Sequence, residues 1–131
     1  MRSISLAGDT AECGRLTDFV RQYLQEHAVA TQDLMYDLQL VIEEVLVNII
    51  HHGYDNIADD RIEVEIELHD NSLTLTFSDS ASAFDPLAQK FDSADDHCDG
   101  GMGIELVKSL TDSQHYRRER GRNILTLSKK L

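Results

Sequence analysis

The chain has 131 residues and a net charge of −12, from 24 Asp and Glu against 12 Lys and Arg. This length fits a single folded domain, residues 1–131, that buries a core without disulfides or metal. The acidic balance disfavours binding to nucleic acid or to an anionic membrane, because both require a basic footprint. Cys13 and Cys98 form no CxxC pair, and no signal peptide or membrane span is visible, so we expect a cytoplasmic protein.

The first half of the chain predicts one strand and two helices. Arg2 to Leu6 alternates polar and apolar residues, which indicates a strand. Asp9 and Glu12 have capping-box spacing and predict the start of a helix. Thr31 is a candidate N-cap for a second, longer helix that ends at Gly53. The apolar residues of the second helix recur at helical spacing and are Leu34, Leu38, Val41, Ile42, Val45, Leu46 and Ile49.

The second half predicts two hairpins separated by a loop and a short helix. Residues 62–68 and 73–77 alternate with period two around a turn at 69–72. A loop over residues 80–103, rich in Ser, Ala and Asp, leads to a short helix over 104–110. Two further strands flank Gly121. The predicted fold is therefore α+β, a two-layer sandwich in which helices cover one face of a mixed, mostly antiparallel sheet.

Three polar residues share one face of the second helix. Glu44, Asn48 and His52 are spaced i, i+4 and i+8, beside the apolar stripe. Carboxylate and amide oxygens are ligands that suit Mg²⁺, and a carboxylate at such a position can also act as a general base. The alternative is an exposed helix flank with incidental polar residues.

Two further signals follow along the chain. The run from Gly100 to Gly103 allows close backbone approach, and the helix after it offers free N–H groups to a phosphate. Glycines also simply end loops, so this run alone is a weak signal. Asp79 ends a predicted strand, where a carboxylate can accept the amine of adenine or can form a turn.

Taken together, the three elements resemble a known family. EEVLVNIIHHGY over residues 43–54 looks like the N-box of the GHKL ATPases. DSASAFDP over residues 79–86 looks like their G1 box, and GGMGI over residues 100–104 looks like their G2 box. Within that superfamily the chain is most similar to the anti-sigma-factor serine kinases of RsbW type, over its full length.

The resemblance implies a role for each matching residue. Asn48 would coordinate Mg²⁺, Glu44 would be the general base, and Asp79 would bind adenine. Gly101 and Gly103 would let the backbone approach the phosphates of ATP, and His52 would shape the site. The remaining residues expected to contact the nucleotide are Ala81, Phe84, Gly100, Met102 and Ile104.

One residue departs from the family pattern. The G1 box usually reads Asp-x-Gly, and here the glycine position is Ala81. If φ is positive at that position, alanine costs about 1 kcal/mol, and its methyl group would crowd the adenine site. The acidic segment over residues 92–99 would also repel a triphosphate unless Mg²⁺ intervenes.

The leading functional hypothesis is a kinase that uses Mg²⁺ and ATP to phosphorylate a serine of a STAS-type anti-sigma antagonist. The same domain would sequester a sigma factor or another regulatory target, and the resemblance implies a homodimer. The alternative is a regulatory binding module without kinase activity, with or without nucleotide. A histidine kinase fragment is disfavoured because no phosphoacceptor helix pair precedes the domain. The late basic cluster, Arg117, Arg118, Arg120 and Arg122, is either a solvated hairpin or a strip that faces a partner or a phosphate.

Overall fold

The structure is a computed structural model that describes residues 1–53, 61–81, 83–88 and 101–131. Its elements follow the order predicted from the sequence, with short 3-10 turns at Thr10–Glu12 and Pro86–Ala88. In chain order the helices and strands are β1 (Arg2–Ala7), α1 (Cys13–Glu26), α2 (Gln32–Gly53), β2 (Arg61–His69), β3 (Ser72–Asp79), α3 (Gly101–Leu110), β4 (Ser113–Glu119) and β5 (Arg122–Lys130).

The five strands form one sheet in the order β1-β2-β3-β5-β4. Every strand pair in the described part of the chain is antiparallel, so the sheet is not mixed as the sequence analysis had expected. The reason is that the chain, having passed through α3 and β4, returns β5 between β3 and β4, running against both neighbours. The predicted α+β sandwich is confirmed, and β5 lies inside the sheet.

One face of the sheet is apolar because its strands alternate with period two. Ile62, Val64 and Ile66 of β2 are buried while the residues between them are partly or fully exposed. The same alternation runs along β3 and β5. The core forms between this face and the apolar sides of the helices, and its helical members are Leu16, Val20, Tyr23, Leu24, Leu38, Val41, Ile42, Val45, Leu46 and Val107.

Local signals fix where the helices begin. Asp9 accepts a hydrogen bond from the Ala11 N–H at 2.9 Å and so caps the 3-10 turn Thr10–Glu12 that leads into α1. Glu12 does not complete the predicted capping box, because its carboxylate accepts from the Ala7 N–H at 3.0 Å. The Thr31 hydroxyl accepts from the Leu34 N–H at 3.1 Å, which confirms Thr31 as the cap of α2.

Both hairpin turns contain two successive residues with positive φ. Asp70 and Asn71, between β2 and β3, both have positive φ, of 49° and 63°. Arg120 and Gly121, between β4 and β5, have φ of 52° and 77°. Two successive positive φ angles are typical of the tight turns that match the twist of paired strands. The predicted turns at residues 69–72 and at Gly121 are therefore confirmed.

Helix α3 begins at Gly101, three residues before the predicted start at Ile104. Glycine is a poor residue in a helix interior, which is why the sequence predicted a loop there. In the first turn the backbone N–H groups need no intrahelical partner, so the glycines at this end are tolerated. The glycine run is thus partly the first turn of a helix.

The structure also bears on the cysteines and on membrane spans. Cys13 is a free, half-buried thiol, and burial together with the nearby Glu43 carboxylate raises its pKa. Cys98 lies outside the described residues. In the part of the chain that the structure describes, no helix is long and apolar enough to cross a membrane.

Candidate nucleotide site

The polar residues of β3 and β5 meet at one end of the apolar sheet face. Asp79 follows Leu73, Leu75 and Phe77 in the same inward phase of β3 and is only 3% exposed. Asn123 is in phase with the buried leucines of β5. The strand register places Asp79 directly opposite Asn123. The core therefore ends in a buried polar pair at this edge.

Asp79 is held by two donors of the chain itself. Its Oδ1 accepts from the Ala81 N–H at 3.0 Å and from the Asn123 side-chain amide at 3.0 Å. Asn123 in turn accepts at its own Oδ1 from the Phe84 N–H, the Tyr116 hydroxyl and the Arg118 guanidinium. Because each of these groups is part-buried or buried, the carboxylate has little freedom to rotate.

Ala81 fits this arrangement without backbone strain. Ala81 is 2% exposed, and its φ angle is not positive. The left-handed conformation that would penalise an alanine is thus not adopted, and the conditional cost of about 1 kcal/mol does not apply. Its carbonyl accepts from Arg118 Nη1 at 2.7 Å, so the Ala81 backbone is fixed at both its N–H and its carbonyl.

A cavity opens between this polar pair and helix α2. The empty space between its walls is about 360 Å³, a figure that includes open solvent at its mouth. Its lining is mainly apolar and aromatic, with a few polar side chains, as is common for cofactor pockets. The lining residues are Asn48, Ile49, Phe77, Asp79, Phe84, Pro86, Tyr116, Asn123 and Leu125.

Asn48 carries an unsatisfied polar atom at this cavity. The side chain is 2% exposed, and its Nδ2 donates to the Glu44 carbonyl at 2.8 Å, one helical turn back. Its Oδ1 is buried and has no hydrogen-bond partner within the described ranges. An unpaired buried acceptor costs about 1–3 kcal/mol, so it calls for a ligand that supplies the missing partner.

The Asn48 amide oxygen fits a magnesium ion. Mg²⁺ prefers oxygen ligands and is usually held by one or two protein groups together with water and phosphate oxygens. Among the described residues there is no cluster of three or more His, Cys, Asp or Glu side chains that could hold a metal by itself. A cation here would therefore depend on the phosphates of a nucleotide for most of its ligands.

Glu44 lies against the first turn of α3. A Cβ atom built on Gly103 would stand 1.9 Å from Glu44 Oε2 and 2.8 Å from Glu44 Cδ. The carboxylate of α2 and the glycine turn are thus in direct contact, and a side chain at position 103 would displace the Glu44 carboxylate. A carboxylate at the start of a helix is also favoured by the helix dipole.

The structure brings some of the predicted site residues together and leaves others elsewhere. Asn48, Asp79 and Phe84 line the cavity, and Ala81 is bonded to Asp79. Ile104 is buried at 1% exposure and does not line the cavity. Gly101 and Met102 are placed only as backbone of α3. Gly100, the side chain of His52 and the acidic segment 92–99 lie outside the described residues.

Asn123 and Tyr116 complete the polar group around Asp79, and neither was among the predicted site residues. A signal was present for Asn123, because it has the same period-two phase as Leu125 and Leu127. A polar residue on an otherwise apolar strand face is a candidate site residue. Tyr116 gave no comparable signal, since most of β4 is exposed.

The late basic cluster divides between the site and the surface. Arg118 donates to Ala81 and Asn123, and therefore supports the cavity. Arg117 forms an ion pair with Glu119 at 3.2 Å, and Arg122 reaches the Ser78 hydroxyl at 3.4 Å. The cluster is thus neither wholly a solvated hairpin nor wholly a strip facing a ligand.

Comparison with known families agrees with this geometry. The family model of the histidine kinase-like ATPase domain matches residues 6–129. The chain belongs to this family. The predicted membership of the GHKL superfamily is therefore confirmed, and so is the ATPase fold that the resemblance implied.

Relatives within the histidine kinase-like ATPase family support the resemblance to kinases of RsbW type. The chain is 26% identical over 104 residues to an anti-sigma F factor of Clostridium beijerinckii, with 76% of this chain and 73% of the relative covered. It is 29% identical over 118 residues to the serine/threonine-protein kinase BtrW of Bordetella bronchiseptica, covering 81% and 80%.

Solved structures show the same fold at low sequence identity. The RsbU and RsbW domains of Rv1364c from Mycobacterium tuberculosis superpose with a TM-score of 0.69 at 19% identity. That match covers 99% of this chain and 31% of the solved chain. The histidine kinase domain of EL346 from Erythrobacter litoralis gives a TM-score of 0.55 at 15% identity, covering 93% and 60%.

Proposed function

We propose that the chain is an ATP-dependent serine kinase of the anti-sigma-factor type. It would bind ATP with Mg²⁺ in the cavity beside α2 and phosphorylate a serine of a STAS-type anti-sigma antagonist. In the absence of that antagonist it would sequester a sigma factor or another regulatory target, in the cytoplasm and as a homodimer. The observation that carries the proposal is the buried, unpartnered Oδ1 of Asn48 at a cavity whose other polar end is Asp79.

One end of the cavity would bind the adenine base and the other the magnesium ion. Asp79, held at Oδ1, would accept the exocyclic amine of adenine at its other oxygen. The apolar lining, including Phe84, would exclude water from the base. Asn48 would hold the magnesium ion, which neutralises charge on the phosphates when it is bound.

The start of α3 would take the phosphates. Its first-turn N–H groups and the positive end of the helix dipole attract anions, and the glycines let them come close. We expect Gly100, Gly101 and Met102 to contribute backbone here, while Gly103 keeps the Glu44 carboxylate close to the same turn. Ile104 would anchor the helix from the core, and His52 would shape the adjoining end of α2.

Glu44 would act as the general base. A carboxylate against the phosphate-binding turn is well placed to accept the proton of an incoming serine hydroxyl as the phosphoryl group is transferred. Phosphoryl transfer requires mainly positioning and stabilisation of charge, so this small set of residues suffices.

The proposal is tested by incubating the purified chain with Mg²⁺, ATP and each STAS-domain protein of the source organism. We expect phosphoserine on one of them, detected by mass spectrometry. Replacing Glu44 with glutamine should lower the transfer rate about 100- to 10,000-fold while ATP binding, followed by calorimetry, changes little. Glu43→Gln is the matched control, because it removes the same charge from the same helix. The Glu43 carboxylate accepts a hydrogen bond from the Gln39 side chain and is not a proposed site residue.

The second candidate is a regulatory binding module without kinase activity. The two departures from the family pattern, Ala81 and the acidic segment over residues 92–99, favour this module, but the Ala81 backbone is unstrained, which removes the argument from strain. The same experiment separates the two functions: a stable complex with the STAS protein and no phosphoserine would reject the kinase and leave the binding module.

A further inference from the structure

The described helices cover one face of the sheet and leave the other face open. The buried residues of β2, β3 and β5 point towards the helices, so the residues between them point away. We call this second side of the sheet the open face. An antiparallel sheet can present such a face to water, so the pattern of its side chains has to show whether it binds a partner.

The open face separates its charges by strand. Glu63, Glu65 and Glu67 form an acidic row along β2. His115 and Arg117 lie on β4, beyond the two strands that separate it from β2. Of these two strands, β3 contributes only serines and threonines, which are half-buried, and the middle of β5 adds a threonine and a serine. An acidic row and a basic row thus flank a band of small hydroxyl side chains.

The strand register places the two rows at the same height. The paired positions that start at Glu63 on β2 lead through β3 and β5 to Arg117 on β4. The same path from Glu65 ends at His115. Within one chain the rows are three strand spacings apart, about 14 Å, which is too far for an ion pair.

Two copies can join their open faces about a two-fold axis in two ways that keep their strands aligned. An axis across the strands would place β2 against β2, and the two acidic rows would repel each other. An axis parallel to the strands, between β3 and β5, places β2 of each copy against β4 of the other. Glu63 then faces Arg117, Glu65 faces His115, and each contact occurs twice.

We propose that the open face is the interface between two copies of this chain, related by a two-fold axis parallel to the strands. The inference rests on the homodimer of the proposed function and names its surface. The next outward residues of the same two strands, Arg61 on β2 and Glu119 on β4, form a third pair of opposite charges across this interface.

Charge decides the orientation because each copy carries a net charge of −12. Such copies repel each other unless opposite charges meet locally. Arg117 and Glu119 pair within the chain at 3.2 Å, but their side chains are 57% and 49% exposed, so this pair contributes little and can exchange partners.

The size of the interface predicts a weak dimer. Strands β2, β3, β5 and β4 offer a footprint of about 20 Å by 23 Å on each copy. Over both copies this is about 1,000 Å², the lower end of the area that specific interfaces bury. We therefore expect a dissociation constant of about 1 to 100 μM.

The experiment reverses one charge on each row and measures self-association of the full chain by sedimentation equilibrium. Glu63→Arg and Arg117→Glu should each weaken the dimer about 10- to 100-fold, because each sets like charges opposite one another at two contacts. An equimolar mixture of the two variants should associate within about 3-fold of the wild-type affinity, because their reversed charges are complementary.

Arg21→Glu is the matched control. Arg21 pairs with Asp18 on α1 at 2.8 Å, as Arg117 pairs with Glu119, but it lies on the helical side of the sheet. The dissociation constant should stay within about 2-fold of wild type. An equal loss in Arg21→Glu would show that overall charge and not the open face sets the affinity, and would overturn the inference.

The possible failures are distinguishable. A wild-type chain that stays monomeric overturns the proposed homodimer and this inference with it. Tighter association of Glu63→Arg would place β2 against β2, and a mixture that stays monomeric would rule out the paired rows, so either result overturns the inference alone. The kinase is tested separately, by phosphoserine.

A second pair of variants covers a loss of folding. If either charge-reversed variant melts well below wild type, Glu63→Gln and Arg117→Gln decide. Each removes one attraction at two contacts and should weaken the dimer about 3-fold, whereas unchanged association of both overturns the inference.

Discussion

The two ends of the candidate site are built differently. At the end proposed to bind the base, which we call the base end, the described hydrogen bonds satisfy Asp79 Oδ1 and Asn123 through neighbours on β3, β4 and β5. At the end proposed to bind the phosphates, the phosphate end, Asn48 Oδ1 is buried without a partner in the described chain, and Glu44 contacts Gly103. The polar atoms of the base end listed above have partners without a ligand, whereas Asn48 Oδ1 at the phosphate end has none.

Because of this difference, substitutions at the two ends should affect the stability of the folded chain and the binding of nucleotide to different extents. Removing a group from the base end should break bonds that the folded chain already has. Removing the unpaired group from the phosphate end should cost the folded chain little and the complex much. Substitutions at the two ends therefore test the comparison directly.

The largest effect is expected for Asn48→Leu. The affinity for Mg-ATP should fall about 30- to 100-fold, since a ligand bond to a charged group is worth about 2–3 kcal/mol. The free energy of unfolding without nucleotide should be unchanged or up to about 1 kcal/mol higher, because the buried unpaired oxygen is gone. Calorimetry and urea unfolding give the two values. A large loss of stability without nucleotide would contradict the comparison.

A smaller effect is expected for Gly103→Ala. The new Cβ would displace the Glu44 carboxylate, which is the mobile end of a side chain, so the fold should survive. Phosphoserine formation should fall about 10-fold because the base moves away from the turn. In a Glu44→Ala background the same substitution should have almost no further effect on transfer. A full 10-fold loss of phosphoserine formation in that background would show that Gly103 does not act through Glu44.

Gly14→Ala is the matched glycine control. A Cβ at Gly14 in α1 meets no atom within 4 Å, and its φ is not positive. Alanine is favoured over glycine in a helix by about 0.5–1 kcal/mol. We therefore expect a higher melting temperature by calorimetry and unchanged phosphoryl transfer, and reduced transfer would show that the Gly103 effect is not specific to the site.

The smallest effect is expected at Glu12, a carboxylate away from the site. A hydrogen bond from the Ala7 N–H, helped by Arg15, holds the pKa of Glu12 below its ordinary value of 4.5. A lowered pKa in the folded state stabilises the fold above pH 4.5, and that contribution is lost as the pH falls through the folded-state pKa. Glu12→Gln should thus be slightly less stable than wild type at pH 7, and the two unfolding curves should converge below pH 4.5. A constant difference across this range would contradict the assignment.

The sequence predicted the strands and helices well where one physical rule dominates. Period-two alternation in β2 and β3 and the apolar spacing of α2 gave the elements that the structure shows. The start of α3 was misplaced because glycine disfavours a helix interior, whereas the first turn of a helix, where Gly101 lies, tolerates it. The fully antiparallel sheet was missed because strand order depends on how β5 returns, which no local pattern encodes.

The site was predictable in part. Glu44, Asn48 and Asp79 were found from spacing and from the family motifs, and the structure places Asn48 and Asp79 at one cavity. Asn123 carried a signal in the period-two phase of β5, but its partner Asp79 is set by the register of β3 with β5. Tyr116 carried no such signal, because its contact with Asn123 arises only from the pairing of β4 with β5. The unpaired Oδ1 of Asn48 is a property of three-dimensional burial and has no counterpart in the sequence.

The position of β5 has a consequence for synthesis of the protein. Asp79 and its partner Asn123 are 44 residues apart, and β5, which carries Asn123, is made after the other described strands and helices. Until β5 is inserted between β3 and β4, the base end of the cavity has neither its amide nor a fixed edge. A nascent chain that has not yet reached Arg122, or one shortened before it, would therefore lack this end of the cavity.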